Sequence, residues 1–594
     1  MQTRITNWSD AASEAEVLGD ISLNAPWATV ERFASLVRLS GSVEERSAVA
    51  YMIAQLDEWG VPYRLYEPTC FISIPLEATL RLDEPGGKPF RAKTTSMSVS
   101  TNGQEITGEL IYAPPKERED VADDWSYGLD FTGLDVAGKV VIADGMAAPG
   151  RVLDVMAAGA LAGVFVNPGQ AIHESIVTTI WGTPDLDAAG RQPTIPVIGV
   201  NKPDGEELIA RARKGGCRVA FSTRVDTGWR PIPVLVAEIP GASVPDEFAL
   251  LHGHLDSWHV GVGDNATGDA TMLELARVFW QHRDKLARSL RIAWWSGHSH
   301  GRYAGSTWYA DAFGIELARG CVAQVNCDSP GCRWAETFNE LTAMSETEPF
   351  VHMAIRETTG ITPRTERPPR AGDYSFNGIG ISSFYMLSST MSPEAREEKG
   401  YYPVGGCGAN IQWHTEDDTL EIADPENLLR DMRVYAASLL RVLNAPLLPF
   451  DWRQTMAEFR TTLHRYQDAA GDAFDLSSSL QAVDDLDDRL DRFYAEAPLD
   501  STPNSATTRR FNRVQRQLAR LLVPVNYSRT TPFHHDPAME APPLPDLAPS
   551  LSMPAAGNDV GQRETIVVHL TRGQNRLVWT LEQARELVEQ ALEE

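Results

Sequence analysis

Apolar and polar residues alternate in patterns that change type several times along the chain. Helical spacing of apolar positions in VERFASLVRL and ERSAVAYMIAQLDEWG predicts helices between residues 25 and 60. The strand-like segments VPYRLYEP and LEATLRL follow and end at a turn over residues 84–87. After residue 450 the pattern is helical, and the last segments, TIVVHL and LEQARELVEQALEE, predict a strand and a helix.

Residues 105 to 235 have the pattern of a compact α/β module. GKVVIADG and TIPVIGVN predict short buried strands, and RVLDVMAAGALAGVFVN predicts a helix that runs into another strand. Asp204 is the expected cap of the helix GEELIARARKGG. This order of strands and helices indicates a module with its own core.

A second region of alternating strands and helices begins at FALLHGHLDS, near residues 248–257. The helix ATMLELARVFWQHRDK and the strands SLRIAWW and CVAQVNCD complete it, which predicts an α/β fold with a mostly parallel mixed sheet flanked by helices. Ligand groups gather at the carboxyl ends of parallel strands. We therefore expect HGHLD, GHSH and NCDSPG to share one edge of the sheet.

Composition narrows the class of protein. A chain of 594 residues is too long for one core, and 43% hydrophobic with 23% charged residues is typical of a globular protein. A net charge of −28 argues against nucleic acid as a partner. No signal peptide and no membrane span are expected, and six scattered cysteines indicate free thiols, which predicts a cytoplasmic location.

Metal-binding residue types recur on the predicted strand-end loops. They are His254, Asp264, His300, Asp328 and His414. Three imidazoles and two carboxylates match the preferences of zinc and similar ions. Asp256, two residues after His254, has the spacing of a carboxylate that holds a ligand histidine.

These motifs resemble the zinc-dependent M28 peptidases, and within them the glutamate carboxypeptidase II and transferrin receptor branch. HLDS…GDNATGDATMLELAR is similar to HxDS…DNxSGxxxLLExAR, NCDSPG to NxDxxG, and WHTEDDTLE to HxxxDT. AGSTWYA and AGDYSFNGIGISSF are similar to the family's GSxxYV and SDxxxFxxxGIPS segments. The likeness covers roughly residues 25 to 520.

The resemblance implies a three-part architecture and a homodimer. Residues 1–104 and 236–450 would form the metal-binding catalytic domain, 105–235 a protease-associated insert, and 451–540 a helical dimerisation-like region. Residues 541–594 fall outside the likeness and are expected to form a Pro-rich linker and a terminal strand–helix extension.

The resemblance also implies a role for each ligand candidate. His254 and Asp328 would bind one metal, His414 the other, and Asp264 would bridge the two, while Asp256 would orient His254. The expected cofactor is one or two divalent ions, with zinc first and iron or manganese as alternatives.

The stretch GHSHGRYAGS departs from the family pattern. Hydrolytic members carry two adjacent glutamates there, and counting back from Gly305 places Ser299 at the general base and His300 at the metal ligand. An imidazole can replace a ligand carboxylate, but a hydroxyl cannot take a proton from water near neutral pH. His298 is the first candidate for the base, and a loop histidine or a third metal ligand are the other interpretations.

Three functions remain open from the sequence. The first is a metal-dependent hydrolase of a peptide, amide or related C–N bond in a small molecule or short peptide. The others are a metal-dependent lyase, isomerase or oxygenase-like enzyme, and a non-catalytic binding protein. Arg370, Tyr374 and Trp413 are expected at the cleft mouth, where Arg370 would clamp a substrate carboxylate or remain a loop arginine. His252 and His259 are expected to be structural.

Overall fold

A computed structural model describes residues 10–116, 128–498, 502–557 and 559–593. Its strands in chain order are β1 (Tyr63–Tyr66), β2 (Thr69–Leu82), β3 (Pro89–Phe90), β4 (Ala92–Thr94), β5 (Ile106–Tyr112), β6 (Val140–Asp144), β7 (Ala162–Val166), β8 (Val197–Val200), β9 (Arg218–Pro231), β10 (Val234–Ile239), β11 (Val244–His254), β12 (Arg288–Trp295), β13 (Cys321–Asn326), β14 (Leu341–Thr342), β15 (Thr365–Glu366) and β16 (Ser383–Phe384).

The α-helices are α1 (Ala11–Gly19), α2 (Asn24–Phe33), α3 (Val43–Trp59), α4 (Pro149–Ala157), α5 (Lys202–Lys214), α6 (Thr267–Gln281), α7 (Ala304–Ala312), α8 (Gly314–Gly320), α9 (Glu348–Thr359), α10 (Pro393–Lys399), α11 (Pro425–Asn444), α12 (Trp452–Ala470), α13 (Ser477–Glu496), α14 (Ala506–Tyr527), α15 (Met553–Ala556) and α16 (Val560–Glu593). In the part of the chain that the structure describes, no helix has the length and apolar character needed to cross a membrane.

The central sheet has six strands in the order β1-β10-β12-β11-β13-β16. The pairings of β11 with β12 and β13, and of β13 with β16, are parallel, whereas β10 is antiparallel to both neighbours. Helices α2, α3, α6 and α11 bury their apolar sides in a core on one face, and α7 and α8 pack on the other. The predicted mixed, mostly parallel sheet between helical layers is confirmed.

The insert is built on an eight-stranded sheet in the order β3-β2-β9-β5-β6-β7-β8-β4. The long antiparallel pairing of β2 with β9 joins residues 69–82 to residues 219–231. Strands β2, β3 and β4 therefore belong to the insert's sheet, although the sequence places residues before 105 in the catalytic domain. The sheet of the insert thus extends beyond residues 105–235, because β2 continues the pairing of β9 past the compact core that the apolar pattern marks.

The cap of α5 differs from the prediction by three residues. The side chain of Asn201 accepts a hydrogen bond from the backbone N–H of Asp204 at 3.0 Å, so Asn201 is the N-cap. Asp204 lies in the first turn, where its charge still favours the helix N-terminus.

The helices after residue 450 share one apolar core, and the predicted terminal strand does not form. Residues 565–570 (TIVVHL) lie inside α16, which packs on α13 and α14. Leu570, Leu577, Leu581, Ala584 and Val588 are buried at helical spacing along it. This packing outweighs the strand preference of the β-branched run.

Candidate metal centre

The ends of three neighbouring strands bring the polar motifs together. β11 ends at His254, β12 at Trp295 and β13 at Asn326, and the first two strands are in parallel register there. The loops that follow carry Asp264, the GHSH stretch and Asp328. This is the edge of a parallel sheet at which ligand sites form.

The carboxylate of Asp264 lies between two imidazoles. Its Oδ1 is 2.9 Å from Nε2 of His254, and its Oδ2 is 3.0 Å from Nε2 of His414. The carboxylate of Asp418 holds this loop by accepting the backbone N–H groups of Gly263 at 2.7 Å and Asp264 at 3.0 Å. The Asp264 carboxylate thus lies between His254 and His414, and its role as a bridge between two ions stays a prediction.

Both imidazoles are oriented by main-chain carbonyls. Nδ1 of His254 is 2.8 Å from the backbone O of Asp256, and Nδ1 of His414 is 3.0 Å from the backbone O of Glu174. Because a carbonyl only accepts, each Nδ1 carries the proton, and the Nε2 lone pair of a neutral ring then faces Asp264. Two nitrogen lone pairs that face one carboxylate repel it, so this arrangement requires a positive charge between the nitrogens and the carboxylate oxygens.

The electrostatics of the site agree with this requirement. Burial acts to lower the pKa of His254, but the charges of Asp264 and Asp328 outweigh it and raise that pKa well above its usual value. Burial acts to raise the pKa of Asp264, but His254 and His414 hold it well below the usual range. The centre therefore stabilises cations.

The donor spacing fits a metal ion. Oδ2 of Asp328 is 3.6 Å from Nε2 of His254, and the hydroxyl of Ser329 donates to Oδ1 of Asp328 at 3.0 Å. Donors bound at about 2.0–2.1 Å around a tetrahedral ion lie about 3.3 Å apart. His254, Asp264 and Asp328 thus fit one ion, and Asp264 with His414 fits another.

His298 joins this cluster. A ring nitrogen of His298 lies within 4.8 Å of the ligand atoms of His254 and Asp328. Its ring stacks on that of His254 with centroids 3.9 Å apart, and its Nδ1 is 3.0 Å from Oδ2 of the buried Asp373. These contacts favour a functional role over that of a partly exposed loop histidine, and the role of His298 as base or ligand stays a prediction. Asp373 was missed from the sequence, although it lies in the quoted AGDYSF segment.

His300 points to different partners from those predicted. Its Nδ1 is 2.9 Å from the hydroxyl of Ser40, which donates to Oδ2 of Asp256 at 2.8 Å. Its Nε2 is buried, and no hydrogen bond to it is formed by the residues that the structure describes. Arg302 and Tyr303 turn the loop back through left-handed conformations directly after it. Its ligand role stays a prediction.

The side chain of Asp256 holds the backbone of the loop that contains His298 and Ser299. The Asp256 carboxylate accepts the N–H groups of His298 at 3.1 Å and Ser299 at 2.9 Å, while its main-chain oxygen, not its carboxylate, orients His254. The hydroxyl of Ser299 is buried, and among the described residues it has no hydrogen-bond partner.

Of the three predicted cleft residues, only Trp413 contacts the centre. Its ring stacks on His414 with centroids 3.6 Å apart. Arg370 donates to the carbonyls of Asp536 at 2.7 Å and Pro537 at 3.4 Å. Tyr374 is buried with Arg370's neighbour Trp181 in an aromatic cluster. Tyr374 is buried and the half-buried Arg370 already has these partners, and their roles in substrate binding stay predictions.

The remaining histidines and the cysteines behave as expected. His252 is buried, with Nε2 2.5 Å from Oε1 of Gln324, and burial lowers its pKa to about 4. His259 contacts Oε1 of Glu174 at 3.2 Å. All six cysteines are free thiols.

Comparisons with known proteins agree with this geometry. Residues 235–439 match the model of Peptidase family M28, and residues 106–208 match the PA domain. Carboxypeptidase Q of Xenopus laevis is 24% identical over 331 residues, which cover 52% of this chain and 66% of that protein. Aminopeptidase YwaD of Bacillus subtilis (strain 168) is 23% identical over 403 residues, covering 66% of this chain and 78% of that protein.

A solved structure shares the fold. BSAP, a zinc aminopeptidase from Bacillus subtilis, superposes with a TM-score of 0.52 at 19% identity and covers 71% of this chain and 95% of that one. The matched residues and the site indicate a metallopeptidase-type hydrolase that is similar to Peptidase family M28. Residues 106–208 are similar to the PA domain and residues 235–439 to Peptidase family M28, which confirms the resemblance predicted from the motifs.

Proposed function

We propose that this chain is a divalent-metal-dependent hydrolase of peptide or amide bonds in small substrates, with zinc as the expected ion. The observation that carries the proposal is the Asp264 carboxylate, which contacts Nε2 of His254 at 2.9 Å and Nε2 of His414 at 3.0 Å. The named peptidase relatives and the zinc aminopeptidase of the same fold support it.

Four residues would hold the ions. His254, Asp264 and Asp328 would bind one, and Asp264 and His414 would bind a second. When bound, a divalent ion in such a site polarises the scissile carbonyl and makes water a better nucleophile. His300 is retained as a candidate ligand through its buried Nε2.

His298 and Asp373 would move the proton in place of the missing glutamate. Nδ1 of His298 donates to the Asp373 carboxylate at 3.0 Å, which leaves Nε2 as the acceptor of the ring, and a ring nitrogen of His298 lies within 4.8 Å of the ligand atoms of His254 and Asp328. Nε2 would take the proton of the attacking water and return it to the leaving amine. Asp373 fixes the tautomer and stabilises the imidazolium. A third-ligand role for His298 is the competing assignment.

The substrate class, the oligomeric state and the cellular location are proposed from fewer observations. Short peptides and acylamino or aminoacyl amides are the proposed substrates, because the similar proteins are named as a carboxypeptidase and an aminopeptidase. A homodimer through the C-terminal helices rests on the resemblance alone. A cytoplasmic location rests on the free thiols.

The proposal is tested by metal content and hydrolysis measured together. Plasma mass spectrometry should find about two zinc equivalents in the wild type and about one in His414→Ala, with hydrolysis of aminoacyl amides at least 100-fold slower in the variant. His464→Ala, on the exposed face of α12, should match the wild type. No metal after reloading would contradict the proposal, and metal without hydrolysis of any amide would favour the lyase, isomerase or oxygenase-like alternative.

A further inference from the structure

The loop that carries His414 is held by two residues of the insert. His173 and Glu174, which follow strand β7 of the insert's sheet, contact Trp413 and His414. We propose that these insert residues position His414, so that metal binding at this ligand depends on the insert. This inference rests on the metal-dependent function proposed above.

Glu174 contacts His414 through both its backbone N–H and its backbone carbonyl. Its N–H donates to the carbonyl of His414 at 2.8 Å, and its carbonyl accepts from Nδ1 of the same histidine at 3.0 Å. The second contact engages the imidazole itself. It therefore sets both the tautomer and the direction in which Nε2 points toward Asp264.

His173 holds the preceding residue. Its Nδ1 donates to the carbonyl of Trp413 at 2.6 Å, and its Nε2 accepts from the hydroxyl of Tyr402 at 2.8 Å. Burial lowers the pKa of His173 to about 4, so the ring is neutral near neutral pH and its two nitrogens keep opposite roles. This buried neutral imidazole joins two segments of the catalytic domain.

The insert's sheet fixes His173 in turn. Oδ1 of Asn167, directly after β7, accepts the N–H of His173 at 3.0 Å, and its Nδ2 donates to the carbonyl of Val200 in β8 at 3.2 Å. Gly169 allows Tyr402 to approach, because a Cβ at this position would lie 2.5 Å from the tyrosine hydroxyl oxygen. The position of His173 is therefore set by a folded sheet.

The other flank of His414 is tied to the same sheet. The ammonium of Lys93 in β4 lies 3.0 Å from Oε1 of Glu174 and 2.8 Å from Oε1 of Glu416. The Lys93 side chain is only 16% exposed, so water screens these pairs less than it would at the surface. The insert thus contacts residues 413, 414 and 416.

The test is zinc titration of the full-length, chelator-stripped chain by calorimetry. His173→Phe, which removes both hydrogen bonds, should raise the Kd of one zinc equivalent by about 10–100-fold and leave the other unchanged. His173→Asn keeps a donor at the position of Nδ1 and should recover most of the affinity. Gly169→Ala should resemble His173→Phe, because it displaces Tyr402.

A matched glycine provides the control. Gly190→Ala adds a methyl group in the same insert where no atom lies within 4 Å, and its affinities should equal those of the wild type. Unchanged zinc affinities in both His173→Phe and Gly169→Ala would overturn the inference. Equal loss of both equivalents with a lowered Tm of the metal-free protein would also overturn it, since that result indicates a structural role only. Failure of the wild type to bind zinc would instead defeat the proposed function.

Discussion

At the scale of single residues, the main unusual feature is that Ser299 stands at the position predicted for the general base, while the imidazole of His298 lies beside the metal cluster. His298 is stacked on His254 and paired with Asp373, a buried carboxylate that is kept ionised near His298 and His254. Burial acts to raise the pKa of Asp373, but the nearby histidines lower it below its usual value. The ionised Asp373 carboxylate accepts the Nδ1 proton of His298 and so leaves Nε2 as the free nitrogen of the ring.

Substitutions in this pair distinguish a general base from a metal ligand at His298. His298→Gln should lower kcat/KM for amide hydrolysis by about 10²–10⁴-fold while both metal equivalents are retained. Asp373→Asn should produce a smaller loss, because the ring remains but its tautomer is no longer set. Steady-state kinetics and metal analysis on the same preparations check this.

A second histidine–aspartate pair serves as the control. Nε2 of His535 lies 2.8 Å from Oδ1 of Asp311 at the surface, away from the metal centre, and His535→Gln should keep full activity. Loss of one metal equivalent in His298→Gln would assign His298 as a ligand instead.

Residue spacing predicted most of the metal centre but not the GHSH loop. His254, Asp264, Asp328 and His414 follow strand ends or specific motifs, so their convergence follows from parallel strand order. Which histidine of the loop faces the cluster depends on the turn at Arg302 and Tyr303, whose left-handed backbone has no glycine to mark it. Asp373 reaches His298 only through tertiary folding, 75 residues along the chain.

At the scale of elements, the segment after α14 crosses the catalytic domain and is anchored there. Arg370 donates to the carbonyls of Asp536 and Pro537, its guanidinium lies 3.6 Å from the ring centroid of Trp181, and the N–H of Ala538 donates to the carbonyl of Thr179 at 2.9 Å. These contacts join the catalytic domain, the insert and the C-terminal region.

Arg370→Ala should therefore reduce stability. The two carbonyls would lose their donor in a part-buried place, and the contact with the Trp181 ring would be lost, so the free energy of unfolding should fall by roughly 1–3 kcal/mol. Urea unfolding and faster protease cleavage between residues 529 and 540 measure the effect. The exposed Arg356 offers the control Arg356→Ala. A raised KM with unchanged stability would instead restore the interpretation of Arg370 as a substrate clamp.

Two segments, TIVVHL and β2, differ from what the sequence pattern predicts, and the reason is the same for both. TIVVHL is helical because α16 buries one face against α13 and α14, and β2 joins the insert because β9 offers it a partner over its full length. Local pattern indicates what a segment prefers, whereas the neighbour that it meets decides between close alternatives. The strongly apolar strands β11, β12 and β13 had no such competitor.

At the scale of the whole molecule, stability depends on how the catalytic domain meets the C-terminal helices. Glu346 is buried at this junction, where its main-chain oxygen accepts the N–H of Asp451 at 2.8 Å, just before α12 begins. Thr455 of the same helix donates to its Oε2 at 3.4 Å. Burial, reinforced by the charge of Glu458, raises the pKa of Glu346 from 4.5 to about 7.

This raised pKa predicts a specific dependence of stability on pH. Below about pH 4.5 both folded and unfolded chains hold the proton of Glu346. As pH rises toward 7 the unfolded chain releases this proton first, so the free energy of unfolding falls across that window.

Glu346→Gln keeps the neutral shape and has no proton to release. The difference in Tm between variant and wild type should grow from pH 5 to pH 8 in favour of the variant, by an amount equivalent to roughly 3 kcal/mol at most. Thermal unfolding at several pH values measures it, with the more exposed Glu348→Gln as control. Parallel Tm curves for wild type and Glu346→Gln would mean that Glu346 stays ionised at this junction and that another group supplies the pH dependence.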